Sequence, residues 1–154
     1  NKISFLPLGF EAYRWNKISY NNNEGKSKIE FALIAVLQLQ VDILPFISAI
    51  KNDTRYNLKI IGEDGKGQRY GEVMEYIDNQ QVKNVTFVGR IEKLEVQNYL
   101  KTVDIGVSPI ISRLLPNKFF DYIACYLPMM SMGNEDMQYM IQKYILITIQ
   151  RPKN

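Results

Sequence analysis

The chain has 154 residues, 46% of them hydrophobic and 23% charged, which is typical of one folded domain with an apolar core and excludes a disordered chain. Its net charge of +3, from 19 basic and 16 acidic residues, is too small to indicate a nucleic-acid surface by itself. The sequence has no histidine, which excludes Ser-His triads and zinc sites with histidine ligands; its single cysteine excludes an internal disulfide and favours a reducing compartment.

Strand-like and helix-like runs alternate along the chain. The hydrophobic patterns predict strands over 31–38, 57–62, 84–89, 103–109, 127–133 and 144–150. They predict helices over 42–52, 67–80, 92–102, 116–126 and 135–143. Asp42 is the predicted N-cap of the first helix, and Pro116 is the predicted first residue of the fourth.

Apolar strands between amphipathic helices predict a Rossmann-like α/β fold, with a doubly wound sheet of about six parallel strands and helices on both faces. Such folds bind ligands outside the carboxyl ends of the strands. Residues 1–28 include a polar, Asn-rich stretch and are predicted to form an interdomain linker, with residues 29–154 as the folded domain. Since the sequence starts without Met and stops directly after a strand-like run, we expect a fragment of a longer chain.

Two glycine-bearing loops follow predicted strands. The segment "GEDGKG", residues 62–67, lets the backbone approach a ligand and precedes a helix N-terminus, so it predicts a phosphate- or sugar-contacting loop. An acidic turn without a ligand is the alternative. The segment "FVGRI", residues 87–91, places Gly89 and Arg90 at a strand end, where a guanidinium suits a diphosphate. An exposed arginine at the top of the sheet is equally consistent.

The run "LPNKFFDYIACYLPMM", residues 115–130, contains the fourth predicted helix. Helical spacing places Asn117, Lys118 and Asp121 on one side, beside the carboxyl edge of the sheet. The predicted buried side consists of Phe119, Phe120, Ile123, Ala124 and Leu127. A carboxylate suits a pair of ribose hydroxyls, and an ammonium with free N–H groups suits a phosphate. The alternative is a solvated helix face with an i,i+3 Lys–Asp pair.

These segments resemble family 4 glycosyltransferases. "LPNKFFDYIACYLPMMSMG" is similar to a signature of the form P-N-K-x-x-(D/E)-Y-x-A-x-G-x-P in their second domain. "LPLGFE", "LKIIGEDG" and "NVTFVGRIEKLEVQNYLKTVDIGVSP" are similar to the segments that precede it. The resemblance implies the C-terminal, nucleotide-sugar-binding half of a two-domain GT-B enzyme. Such enzymes are usually metal-independent and retain anomeric configuration, and their other domain largely holds the acceptor.

The resemblance also implies roles for single residues. The donor-binding residues that it implies are Gly62, Glu63, Gly65, Gly89, Arg90, Ile91, Pro116, Asn117, Lys118 and Asp121. Asp121 matches the acid that holds the ribose, and residues 116–118 match the segment near the diphosphate and sugar. Gly62 and Gly65 match the loop after the second strand, whereas residues 89–91 match the strand end that meets the nucleobase.

Two positions and one segment depart from the family pattern. Arg113 stands where many members have an acid facing the donor sugar, and Tyr126 stands where the signature has Gly. No cation occurs between Lys28 and Lys51, although many members place an Arg and a Lys there to neutralise the diphosphate. Arg113 and Lys118 are therefore the candidate catalytic cations, with Arg90 in support.

The first hypothesis is the donor-binding domain of a retaining glycosyltransferase that transfers a sugar from a nucleotide-diphosphate sugar to a polysaccharide or glycolipid. We expect no metal or other cofactor and no nucleic-acid partner. We also expect an absent N-terminal acceptor-binding domain, so the fragment alone should bind the donor without turnover. No apolar run reaches the roughly 18–20 residues of a membrane span, so we expect a cytoplasmic protein with room for peripheral contact at the inner membrane face.

Two alternatives come from other classes. A degenerate, non-catalytic glycosyltransferase-like module, acting as a partner or regulatory subunit, would explain Arg113 and the missing cations and would bind nucleotides little. A dinucleotide-dependent oxidoreductase is disfavoured because no glycine fingerprint follows residues 31–38.

Overall fold

Strands and helices alternate throughout residues 26–111 and 116–131, which are the residues that a computed structural model of the chain describes. The elements, in chain order, are β1 (Ile29–Ile34), α1 (Leu44–Ile50), β2 (Tyr56–Ile61), α2 (Tyr70–Asn79), β3 (Val85–Gly89), α3 (Lys93–Leu100), β4 (Ile105–Ser108), α4 (Lys118–Ala124) and β5 (Met129–Ser131). Each element starts within three residues of its predicted start. The predicted helix 135–143 and strand 144–150 lie outside the described residues.

The described strands form one sheet in the order β3-β2-β1-β4-β5, and every neighbouring pair is parallel. The chain moves outward from β1 to β2 and β3, then returns and continues on the other side with β4 and β5. The direction of winding therefore reverses between β1 and β4, which is where open α/β sheets bind ligands. This arrangement confirms the predicted Rossmann-like, doubly wound fold.

The helices cover both faces of the sheet because the side chains of β1 alternate between two cores. Phe31 and Leu33 face the first core, to which α1 and α2 contribute Ile47 and Val73. On the opposite face, the second core consists of Ala32, Ile34, Ile61, Val96, Leu100, Val103, Tyr122 and Cys125, so α3 and α4 pack there. Helices α3 and α4 consequently begin side by side at the carboxyl edge.

The predicted start of the first helix was wrong by two residues. Helix α1 begins at Leu44, its N-cap is Ile43, and no side chain caps it. The carboxylate of Asp42 instead accepts a hydrogen bond from Nη1 of Arg69 at 2.9 Å. Asp42 is thus engaged by a residue of another loop, which a local capping pattern does not show.

Helix α4 also differs from its prediction. It begins at Lys118 with Asn117 as N-cap, so Pro116 precedes the cap rather than opening the helix. The fully buried residues are Phe119, Tyr122 and Cys125. The predicted buried position Ile123 is 36% exposed, and Phe120, Ala124 and Leu127 are only partly buried. Tyr122 was not among the predicted buried residues, and its hydroxyl finds hydrogen-bond partners inside the sheet.

Tyr126 occupies the left-handed turn that ends α4. Its φ is +55°, and its N–H donates to the carbonyl of Ile123 while the N–H of Leu127 donates to that of Tyr122. This pair of bonds is the Schellman motif, whose left-handed residue is usually glycine. The left-handed conformation explains why the signature that this segment resembles has glycine at this position. Tyrosine adopts the same conformation here.

None of the helices in residues 26–111 and 116–131 is long and apolar enough to cross a bilayer.

Candidate functional site

The carboxyl ends of β1 to β4 lead into loops that lie along one edge of the sheet. These loops are residues 35–43, 62–69, 90–92 and 109–117, the last described except for 112–115. They contain most of the predicted donor-binding residues. Arg113 lies outside the described residues, so its predicted catalytic role remains a prediction.

The loop after β2 is organised around the buried carboxylate of Glu63. Its Oε1 accepts hydrogen bonds from three successive N–H groups, those of Gly65 at 2.8 Å, Lys66 at 3.1 Å and Gly67 at 3.2 Å. Its Oε2 accepts the N–H of Leu37, in the loop after β1, at 2.6 Å. Glu63 is only 2% exposed, and four backbone donors occupy its two oxygens. Its predicted donor contact is untested.

Arg69 forms a second connection between the same two loops. Its N–H donates to the carbonyl of Leu37 at 2.8 Å, and its guanidinium bonds Asp42 on one loop and both carboxylate oxygens of Glu72 on α2. The bonds to Glu72 raise the pKa of the guanidinium further above its ordinary value. We call residues 35–43 and 62–69 the latched loops, because Glu63 and Arg69 join them through buried and partly buried polar bonds.

The latched loops are also joined to the end of β4. Val41 and Ile110 form an antiparallel bridge, and the N–H of Asp42 donates to the carbonyl of Pro109 at 2.8 Å. The N–H of Ile111 donates to the carbonyl of Gln40 at 3.0 Å. These bonds hold the loops that follow β1 and β4 on either side of the point where the winding reverses.

The end of β3 is positioned by a local irregularity. The register between β2 and β3 shifts so that Ile61 pairs with Gly89, whose φ is +79°. The carbonyl of Gly89 accepts the N–H of Gly62, whose φ is +97°, at 2.8 Å. Two glycines in left-handed conformations thus bring the ends of β2 and β3 together. The side chain of Arg90 is exposed beyond them, and Ile91 packs on the second core.

A partly buried carboxylate in the first turn of α4 interacts with a cation of the same helix and with one of α3. The Nζ of Lys118 lies 3.5 Å from Oδ2 of Asp121, whose side chain is 17% exposed. Burial raises the pKa of Asp121, although the charges of Lys118 and Lys93 act to lower it. Lys93 is the first residue of α3 and was not predicted from the sequence. We call residues 90–93 and 116–121 the charged edge.

Tyr122 fixes the helix that carries Asp121. Its hydroxyl accepts the N–H of Ile34 at 3.0 Å and lies 3.1 Å and 3.2 Å from the carbonyls of Ala32 and Val107. Burial raises the pKa of this hydroxyl, so it remains protonated. The ring lies directly on Gly106, where a β-carbon would approach it to 2.7 Å. Glycine on β4 therefore allows α4 to pack closely against the sheet.

Two predicted residues, Pro116 and Asn117, precede the first turn of α4 at the charged edge. The carbonyl of Pro116 accepts the N–H of Phe119 at 3.0 Å, and that of Asn117 accepts the N–H of Phe120 at 3.1 Å. Asn117 is exposed and its side chain makes no capping bond. The structure thus brings residues 116–118 and Asp121 into one turn, whereas Gly62, Glu63 and Gly65 belong to the latched loops.

Two further observations concern the thiol of the chain and possible metal ligands. The thiol of Cys125 is buried, which raises its pKa to about 12, so it remains protonated at neutral pH. Across the described ranges, no group of three or more His, Cys, Asp or Glu side chains could hold a metal ion.

A shallow polar groove occurs at the opposite, amino edge of the sheet, before β2 and β3. It is lined by Lys28, Asn52, Asp53, Thr54, Asn57, Gln80, Gln81, Lys83 and Asn84. The Asn84 amide donates to the carbonyls of Ile50, Asp53 and Tyr56, so it connects turns of the fold. The groove is remote from the latched loops and the charged edge, and we place the candidate site at the carboxyl edge because open α/β sheets bind ligands there.

Comparison with known proteins gives one family and a fold. The family described as "Glycosyl transferases group 1" matches residues 34–150. No curated protein matches the sequence. Sucrose-phosphate synthase from Thermosynechococcus elongatus is similar in structure, with a TM-score of 0.71, 15% identity, and coverage of 88% of this chain and 36% of that one.

A second solved structure is the apo form of the lipopolysaccharide outer core galactosyltransferase WaaB. It has a TM-score of 0.56 and 17% identity, and covers 80% of this chain and 38% of that one. At these identities the two structures support the fold alone. The chain spans little more than a third of the length of either protein.

Proposed function

The chain belongs to the group 1 glycosyl transferases, and on that premise we propose that its charged edge binds the nucleotide-diphosphate sugar of a retaining glycosyltransferase. The observation that carries the proposal is the carboxylate of Asp121. It lies partly buried at the carboxyl edge, with the ammonium of Lys118 at 3.5 Å and the charge of Lys93 also acting on it. A carboxylate between cations can accept both hydroxyls of a ribose while the cations face the phosphates.

In the proposed reaction, the bond between the anomeric carbon and the diphosphate breaks and its electron pair stays on the diphosphate. The acceptor hydroxyl oxygen bonds to that carbon and its proton passes to the departing phosphate. Lys118 and Arg113 are the proposed cations that stabilise the negative charge on the diphosphate. Since these 154 residues include no histidine, the contribution that this chain itself makes in the proposal is electrostatic.

The proposal gives the chemical class of the acceptor and the part of the protein that holds it. We propose a polysaccharide or glycolipid acceptor held by a further domain, because this chain spans only about a third of either solved neighbour. The proposal needs no metal or other cofactor, and it allows peripheral contact of the full-length protein with the inner face of a membrane.

The test is isothermal titration of the chain with UDP, GDP and ADP, repeated with Asp121→Asn. We expect one nucleoside diphosphate to bind, and Asp121→Asn to weaken it about 10- to 100-fold, since a hydrogen bond to a charged group contributes about 1.5–3 kcal/mol. The control is Glu75→Gln on the exposed surface of α2, which should leave the affinity unchanged. Equal affinity in wild type and Asp121→Asn would contradict the proposal.

A second candidate function is a non-catalytic module of the same family. It is favoured by Val36 and Leu39, which are 38% and 64% exposed in the loop after β1, where related enzymes are expected to carry cations for the diphosphate. This candidate predicts that none of the three nucleoside diphosphates binds at millimolar concentration to a cooperatively folded sample.

A further inference from the structure

We propose that the glycine loop, residues 62–67, is an anion-binding nest filled by the protein's own Glu63, which makes Glu63 a positioning residue for the site rather than a ligand contact. The part that concerns donor binding rests on the proposed function. The part that concerns the nest does not, and the experiment below separates the two.

The direction of the loop's N–H groups is the first observation. Those of Gly65, Lys66 and Gly67 converge on one oxygen, Oε1 of Glu63, at 2.8–3.2 Å. Successive N–H groups that point into one concavity form the nest that holds phosphates and other anions in many proteins. Here the anion is a carboxylate from the same loop. These N–H groups therefore already have their acceptor.

The second observation is how tightly the carboxylate is enclosed. A β-carbon at Gly67 would collide with Oε2 of Glu63 and would lie 2.7 Å from the carbonyl oxygen of Leu37. Gly65 has a φ of +85°, which few other residues adopt. The glycines thus permit the loop to wrap around Glu63, and they need no external phosphate to account for them.

The third observation is where the other carboxylate oxygen points. Oε2 holds the N–H of Leu37 at 2.6 Å, from a residue 26 positions earlier in the chain. Through this bond Glu63 fixes the loop after β1, which also bonds the end of β4. The carboxylate therefore determines the shape of the edge on both sides of the winding reversal. On the proposed function, the cations for a diphosphate are then Lys118 of the charged edge and Arg113, and the buried carboxylate of Glu63 offers a diphosphate no attraction.

The experiment is chemical rescue of Glu63→Ala in the 154-residue chain. Removing the carboxylate should lower the Tm by roughly 10 °C, because four backbone N–H groups, two of them in buried hydrogen bonds, lose their acceptor. Acetate matches the atoms that the substitution deletes, so 100 mM sodium acetate should restore about half of that loss, whereas sodium chloride and the longer butyrate at the same ionic strength should not. Wild type should show no acetate-specific change.

Two further variants serve as a control and as a second test of the nest. Asp64→Ala removes the neighbouring carboxylate, which lies outside the nest and pairs with Lys66 at 3.4 Å, and should change the Tm by less than about 2 °C with no response to acetate. Glu63→Gln keeps the shape of the side chain, but its amide has only one acceptor oxygen, so an NH2 donor must face either the three N–H groups of the nest or the N–H of Leu37. It should lower the Tm without acetate rescue, and it decides the question where Glu63→Ala does not fold.

Nucleotide binding then tests the positioning role. At a temperature where each variant is folded, Glu63→Ala should bind the nucleoside diphosphate about 10-fold more weakly, and acetate should recover the affinity. Acetate rescue of the Tm without rescue of affinity would overturn the positioning role while leaving the nest intact. An unchanged Tm in both Glu63 variants would overturn the nest itself. If wild type binds no nucleoside diphosphate, the proposed function fails, and the acetate response still decides the nest.

Discussion

The latched loops and the charged edge lie along the same edge of the sheet, but they differ in what their charged side chains contact. In the latched loops, Glu63 and Arg69 bond protein groups at 2.6–3.2 Å. In the charged edge, Lys93 and Arg90 are exposed, and the carboxylate of Asp121 meets Lys118 only at 3.5 Å. In the first region Glu63 and Arg69 find their partners within the protein, whereas the second leaves cations at the surface, where we propose that a ligand binds. A sequence motif for a glycine loop therefore does not by itself show which region binds.

Gly67→Ala should break the latched loops and have the largest effect. The new β-carbon would displace Glu63 and the backbone of Leu37, which should lower the free energy of unfolding by about 3 kcal/mol, as overpacking adds to lost buried hydrogen bonds. Urea unfolding measures the loss. Gly71→Ala is the matched control because its β-carbon would meet nothing within 4 Å in α2, and it should raise stability by up to about 1 kcal/mol. Equal values for the two variants would contradict the packing described here.

Tyr122→Phe should weaken the attachment of the charged edge to the sheet. The substitution leaves the N–H of Ile34 without its acceptor in the interior, so we expect a loss of about 2 kcal/mol in urea unfolding. Tyr99→Phe serves as the comparison, since this tyrosine of α3 is only partly buried. If Tyr122→Phe is as stable as wild type, the hydroxyl does not hold α4 in place.

Tyr126→Gly should stabilise the end of α4 by about 0.5–1 kcal/mol, because glycine adopts a φ of +55° without the cost of a β-carbon. Tyr126→Ala removes the same ring but keeps the β-carbon, so it should gain nothing. Thermal unfolding of the three proteins separates the two effects. A larger gain in the alanine variant would show that the exposed ring, not the backbone, is the unfavourable feature.

The smallest effect concerns the pH dependence of stability. Burial raises the pKa of Asp121 above its ordinary value of 3.8. The native chain therefore keeps this proton to a higher pH than the unfolded chain, and the free energy of unfolding should fall as pH rises from about 3.8 through the native pKa. Asp53 and Glu72, whose pKa values are lowered by Arg55 and Arg69, contribute in the opposite direction, so urea unfolding between pH 3 and pH 7 should show the fall as a difference between wild type and Asp121→Asn. Parallel profiles would contradict it.

The sequence predicted the two regions with different success. Residues 116–121 were placed correctly beside the carboxyl edge, because a helix that follows a parallel strand must begin there. Lys93 was missed because its relation to Asp121 joins two helices that are distant in the chain. Arg69 was missed as well, since an arginine before a helix has no local pattern that distinguishes a buried connection from a solvated side chain.

By itself, the sequence determined the alternation of strands and helices, the parallel sheet and the likeness to glycosyltransferases. Hydrophobic periodicity and the signature are patterns of neighbouring residues, so a single chain displays them fully. Only the tertiary structure decided that Glu63 turns inward to Leu37 and that Tyr122 enters the sheet beside Ile34. These partners are 26 and 88 residues apart, and contacts over such separations depend on the packing of whole elements, which no local pattern contains.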